Sequence, residues 1–106
     1  MTAVRIEGGI DPWEAKAAAR QFGKLLHARR RELGLSQGKV AAAAGMDKRH
    51  YQELEHGFSN SRTGSPANPR LVTLLCLARA LALDPQELVR VAAKGADSVY
   101  LSREDS

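Results

Sequence analysis

Cysteine, aromatic residues and long apolar runs are all scarce in this chain. Cys76 is its single cysteine, which excludes an intrachain disulfide and a thiolate-based metal framework. Aromatics make up 5% of the sequence, so the core has to be built largely from Leu, Val and Ala. No apolar run approaches a membrane span, and the opening MTAVRIEGG lacks the basic-then-apolar order of a signal peptide. Runs of β-branched residues are few, and an Ala- and Leu-rich composition of this kind favours helices. These absences predict a soluble, cytoplasmic, all-α protein. Its 106 residues suit a single domain, 1–106, with one modest hydrophobic core.

What is present is positive charge, and it is concentrated. The net charge of +4 permits an anionic partner. From Arg20 to Gly57 the bases Arg20, Lys24, Arg29, Arg30, Arg31, Lys39, Lys48 and Arg49 are set against only Glu32, Asp47, Glu53 and Glu55. From Asp84 to Ser106 the balance leans acidic.

Helix boundaries are strongly marked. After a short lead, Met1–Ile10, with Val4 and Ile6 as its apolar hooks, comes Asp11-Pro12-Trp13-Glu14. It combines an Asp cap, proline at the first helical position and Glu at the third. The helix it opens is predicted to run to Leu33, where Gly34 ends it, with Phe22, Leu25, Leu26 and Leu33 on one face. Ser36 caps a second helix through Ala44 that buries Val40, Ala41 and Ala44. The alanines at 41–44 keep its packed face thin enough for another helix to come close.

Gly45 makes the turn, Met46 plugs it, and Asp47 caps a third helix with Tyr51 and Leu54 inward and Gly57 at its end. Phe58–Asn68, rich in Gly, Pro, Ser and Asn, reads as a loop. Asn68-Pro69 starts a fourth helix with Leu71, Leu74, Leu75, Ala78 and Leu81 as its packed stripe. Asp84-Pro85-Gln86-Glu87 opens a fifth through Lys94, with Leu88 and Val91 inward and Gly95 closing it. The expected division is an N-terminal extension and helix start over 1–21, a core over 22–94 and a tail over 95–106.

The stretch Leu35–Gly57 carries the functional signal. Two short helices on a glycine turn present Lys48, Arg49, His50, Gln52 and Glu53 outward from the second of them. A helix offered in this way, polar side chains leading, is what the DNA major groove accepts.

A family likeness rests on Arg30, Leu33-Gly34-Leu35-Ser36-Gln37, Ala41, Gly45, Leu54-Glu55 and Gly57, then Pro69, Leu71, Leu74-Leu75, Leu77-Ala78 and Ala80-Leu81. Over residues 22–91 the chain resembles the lambda-repressor/Cro-like helix-turn-helix domains, the XRE family. The resemblance implies a compact five-helix DNA-binding domain, here with an extended first helix. It implies a transcriptional regulator without enzymatic role or cofactor, most simply a repressor. Such a protein would hold double-stranded DNA as a homodimer, with the helix 47–56 in the major groove.

The DNA-facing set maps to Gln37, Lys39, Lys48, Arg49, His50, Gln52, Glu53 and Arg62. In this scheme Gln37 fixes a phosphate and braces the third helix. Arg49 pairs with guanine, Gln52 pairs with adenine, and Glu53 accepts from cytosine. Arg30 and Glu55 match a partly buried structural ion pair that ties the first helix to the third.

The chain also departs from the family pattern. Tyr51 stands where a branched aliphatic is usual, so its hydroxyl needs a partner or the surface. Glu53 is negative where polar or basic residues are common. The segment between Gly57 and Pro69 is longer than usual. It is either solvated or laid against phosphates through Ser59, Asn60, Ser61, Arg62 and Thr63.

Arg29 and Arg31 read as solvated, or as contacts to the DNA phosphate backbone. His50, Glu53 and His56 drift around their helix in steps of three, a poor spacing for a metal. Cys76 reads as a small core residue. Trp13 and Ala17 either cover the fifth helix or face a second subunit. Val99-Tyr100-Leu101 is either a frayed tail or a strand for dimer pairing. A reading of another class is an antitoxin that meets a toxin through the first helix or the tail and DNA through the third helix, or a helix-turn-helix that serves only protein contact.

Overall fold

The computed structural model describes residues 9–60 and 62–104. Val4, Ile6 and Ser61, named above, lie outside the described residues. Local capping chemistry sets most of the element order. α1 (Pro12–Glu32) opens under a full capping box: the Asp11 carboxylate accepts from the Trp13 and Glu14 N–H groups, and Glu14 reaches back to the Asp11 N–H. α2 (Gln37–Ala43) starts where the Ser36 hydroxyl accepts from the Lys39 N–H. α3 (Lys48–His56) starts where Asp47 accepts from the His50 N–H.

After a hairpin come α4 (Leu71–Ala80) and α5 (Pro85–Glu104), the latter opened by Asp84, which accepts from the Gln86 N–H. α1 is the spine. α3 and α5 pack along it, while α2 bridges α3 and α4. Phe22 and Leu26 of α1 meet Val40, Ala41, Ala44, Tyr51, Leu54, Leu77, Ala78, Leu81 and Leu88 in one continuous core. Leu26, Leu77, Leu81 and Leu88 are fully buried, each contributing roughly 1.5–3 kcal/mol of transfer free energy.

The segment expected as a loop is partly a hairpin. β1 (Phe58–Asn60) pairs antiparallel with β2 (Ser65–Pro66), placing Phe58 opposite Pro66 and Asn60 opposite Ser65. The turn residues that signalled a loop hold this hairpin together. Asn60 Oδ1 accepts from the Arg62 N–H at 2.9 Å, and the Thr63 and Ser65 hydroxyls meet at 2.8 Å.

α4 begins at Leu71, two residues later than Pro69 suggested. That leaves Leu71 73% and Leu75 41% exposed, and the inward stripe becomes Leu74, Leu77, Ala78 and Leu81. Leu33, expected on the packed face of α1, is its C-cap residue and is also exposed. Arg29 is not solvated. Its Nε donates to the Leu81 carbonyl at 2.8 Å and its Nη2 to the Ala82 carbonyl at 3.3 Å, so α1 caps the end of α4.

The largest correction concerns Gly95. It does not close α5; it lies buried within a helix that continues through Val99-Tyr100-Leu101 to Glu104. The tail over 95–104 is therefore helical, neither frayed nor a strand. The cause is contact with α1: a Cβ at Gly95 would sit 2.7 Å from the Ala17 carbonyl oxygen. Gly23 in α1 does the same toward α3, where a Cβ would sit 2.3 Å from the Glu55 carbonyl oxygen. A mid-helix glycine costs about 1 kcal/mol in propensity, and here each is what lets two backbones touch.

Candidate nucleic-acid interface

A buried carboxylate fixes the helix pair from behind. Glu55, near the end of α3, has a side chain only 4% exposed and faces α1. Its Oε2 accepts from Arg30 Nε at 2.6 Å, and its Oε1 from Arg30 Nη2 at 3.2 Å and Gln37 Nε2 at 3.1 Å. Arg30 Nη1 also donates to the Leu35 carbonyl at 3.0 Å, which ties the α1–α2 turn into the same group. His27 Nδ1 lies 3.1 Å from Glu55 Oε1, one turn of α1 before Arg30.

Burial works against the charge on Glu55. Arg30 first, then Gln37 and His27, outweigh it and hold the carboxyl at about 2. The Tyr51 hydroxyl is buried beside this pair and finds no hydrogen-bond partner among the described residues. Burial first, and then the neighbouring carboxylate, push its ionisation well above the usual phenol range.

Outward from the carboxylate the polar contacts continue to the surface. Gln37 Oε1 accepts from Gln52 Nε2 at 3.0 Å, so α2 is tied to the outer side of α3. Arg49, Gln52 and Glu53 share that side, with His56 and Phe58, around a shallow cleft of about 400 Å³. A neighbouring cleft runs from Arg49 and Glu53 to Ser59, Asn60 and Arg62. The hairpin thus forms a wall along the second half of α3.

The residues singled out from sequence divide in space. Arg49, Gln52, Glu53 and Arg62 gather around the two clefts. Lys48 is exposed at the first turn of α3 near Gly38, and Lys39 is exposed on α2. His50 turns instead toward α4, lining a groove with Met46, Val72 and Cys76. His56 Nδ1 donates to the Gln52 carbonyl at 2.8 Å.

Sequence reading missed His27 and Phe58. The spacing of three between His27 and Arg30 was the available signal for the first; for the second there was none before the hairpin was seen. Trp13 is 63% exposed with Lys16 Nζ 5.1 Å from its ring centre, whereas Ala17 is packed against α5. Among the described residues no helix is long and apolar enough to cross a membrane.

Two short helices on a tight turn, buttressed from α1 and basic at the exposed start of the second, define a helix-turn-helix DNA-binding module. The model of the Helix-turn-helix domain family matches residues 21–91. The chain belongs to this family, in its lambda-repressor/Cro-like XRE branch of DNA-binding transcriptional regulators.

Among solved structures, the restriction-modification controller protein C.AhdI from Aeromonas hydrophila is 35% identical, over 68% of this chain and 97% of that one, with a TM-score of 0.57. Two structures of the clp gene regulator ClgR from Corynebacterium glutamicum are each 19% identical. They match 73% and 83% of this chain and 90% and 84% of theirs, with TM-scores of 0.57 and 0.60. That likeness is one of fold. No curated protein sequence matches the chain.

Proposed function

We propose that this protein is a sequence-specific repressor that occupies an operator in duplex DNA as a homodimer. The observation that carries this reading is the outer side of α3: Lys48 and Arg49 stand exposed at its first turn, with Glu53 one turn on. That helix is held to α1 and α2 through Glu55, Arg30 and Gln37. A rigid helix with donors at its leading end is suited to the major groove, N-terminus first. Similarity to a restriction-modification controller, 35% identical over 97% of that chain, supports a regulatory role.

In the proposed complex Arg49 gives a bidentate pair to guanine O6 and N7, and Glu53 accepts from cytosine N4. Gln37 and Lys39, at the start of α2, meet the phosphate backbone on one side. Arg62, on the hairpin, meets it on the other. Lys48 adds charge at the groove edge. One such module reads few base pairs, so two copies on a two-fold axis double the site. Leu71, Val72 and Leu75 stand exposed on α4 as apolar surface for a second copy to cover. Occupancy of the operator excludes other proteins from it, and no further domain is required.

Selection of bound sequences from a random duplex pool tests this directly. The expected result is a palindromic consensus. Lys48→Ala and Arg49→Ala should then weaken binding to that duplex while leaving the unfolding transition in place. Affinity should fall steeply with added salt, since every neutralised phosphate releases counterion. Unchanged binding by both variants, or a flat salt response, sinks the reading.

A further inference from the structure

Gln52 stands beside Arg49 and Glu53 on the proposed DNA-facing side of α3, yet one of its amide N–H donors is already committed. Gln52 Nε2 donates to Gln37 Oε1 at 3.0 Å, and Gln37 Nε2 donates to Glu55 Oε1 at 3.1 Å. The direction of this chain is set at its inner end. Glu55 accepts from Arg30 through both carboxylate oxygens, and an ionised carboxylate can only accept. Gln37 must therefore turn its NH₂ inward and its oxygen outward, and Gln52 must answer that oxygen with an N–H. Reversing either amide would set oxygen against oxygen or donor against donor.

We infer that Gln52 is a positioning residue, acting on DNA recognition through Gln37, and that base reading falls to Arg49 and Glu53. The inference rests on the DNA-reading function proposed above. Gln52 is half-buried and drawn back toward the start of α2, where it satisfies the Gln37 oxygen and leaves the second Gln37 amide N–H to donate to a phosphate. The groups left to meet base edges are the Arg49 donors and the Glu53 acceptor. Donors of that kind select guanine O6 and N7, and a carboxylate selects cytosine N4. The base pairs that Arg49 and Glu53 read are therefore G·C.

The test compares the full-length parent with Gln52→Ala in selection from a random duplex pool, followed by titration of the parent's consensus duplex and its single-base variants. A positioning role gives the same G·C consensus, with affinity reduced about threefold to tenfold, as for one lost hydrogen bond, and equally for every duplex. Gln37→Met should lose at least as much, since it also gives up the phosphate contact, and adding Gln52→Ala to it should cost nothing more. Arg49→Ala supplies the contrast by relaxing preference at one base pair.

Selective loss of preference at one position in Gln52→Ala, above all at an A·T pair, overturns the inference. A readout without DNA decides it independently: in the free protein, Gln52→Ala should shift the NMR signals of the Gln37 side-chain amide and the Arg30 Nε–H. Unmoved signals overturn the relay. A parent that selects no duplex overturns the DNA-reading function and with it the base code, while the amide signals still decide the contact.

Discussion

α1 holds its two main neighbours by opposite means. Against α3 it uses charge, with Arg30 bonded to both oxygens of Glu55. Against α5 it uses the lack of a side chain, with Gly95 set against the Ala17 carbonyl. The charged contact is built from long side chains and is handed on through Gln37 to Gln52 at the surface. The glycine contact is backbone against backbone and reaches none of Lys48, Arg49, Gln52 or Glu53. One helix thus carries a contact that, in the proposed complex, serves recognition and another that serves only the fold. Gly23 joins the two styles, because the Glu55 backbone also needs the space that glycine leaves.

Breaking the charged contact should have the largest effect. Arg30→Ala leaves Glu55 buried with only weaker donors, and losing one partner of a buried pair costs about 3–5 kcal/mol. Denaturant unfolding should show that loss. The fraction that remains folded should bind DNA less well, since Gln37 loses its fixed neighbour. A loss under about 1 kcal/mol, typical of exposed pairs, would mean the pair is not what holds α3.

The glycine contact should cost less, and only in stability. Gly95→Ala and Gly23→Ala each force a methyl into a backbone that cannot retreat as a flexible side chain would, and overpacking of this kind costs about 1–3 kcal/mol. Alanine is the better helix former by about 1 kcal/mol, so the sign itself is informative. Increased stability in either variant would show that the helices separate freely. Gly95→Ala should leave operator affinity per folded molecule unchanged, which separates it from Arg30→Ala.

These two contacts also mark what could be read from the sequence. Caps are local, and Asp11, Ser36 and Asp47 place their helix starts because side chain and N–H are three residues apart or fewer. Gly95 is local too, and taken alone it resembles a helix stop. Nothing near it in sequence announces Ala17, and only the tertiary contact turns a stop into a contact residue.

Leu71 and Leu75 fit an apolar stripe as well as Leu77 does, until the true start of α4 decides which ones turn inward. The hairpin was hidden for a related reason. Strands of three and two residues are shorter than any alternation that could reveal them. On α3, which residues point outward was legible. The withdrawal of Gln52 toward Gln37 was not, because it depends on a carboxylate whose partner lies on another helix.

Acid should weaken the charged contact and spare the glycine one. Glu55 is held at about 2, below its ordinary 4.5, so its contribution is fully present above pH 4.5 and is lost as pH falls from there toward 2. With a side chain this buried, the contribution is on the order of 2 kcal/mol. Urea unfolding across that window should show a steeper loss for the parent than for Glu55→Gln, which has no carboxylate to protonate. Gly95→Ala should run parallel to the parent. Parallel profiles for parent and Glu55→Gln would remove Glu55 from the acid response.

The smallest effect asks whether charge alone distinguishes the two kinds of contact. Arg29 is also a cation on α1, but it ends on the Leu81 and Ala82 carbonyls and hands nothing on to the surface. Ala82 sits there at φ 51, a left-handed conformation that costs an L-residue about 1–2 kcal/mol. Ala82→Gly relieves that cost and gives back about 0.4–1 kcal/mol through greater freedom of the unfolded chain. The expected result is a gain of a few tenths to about 1 kcal/mol, with the Arg29 bonds intact because they go to backbone oxygens.

Arg29→Ala should lose about 1–3 kcal/mol, the range for hydrogen bonds from a charged group, with no change in operator affinity per folded molecule. If Arg29→Ala weakened DNA binding as Arg30→Ala does, cationic contacts on α1 in general would matter to recognition. If it does not, what matters is an unbroken line of hydrogen bonds, Arg30 to Glu55 to Gln37 to Gln52, ending on α3.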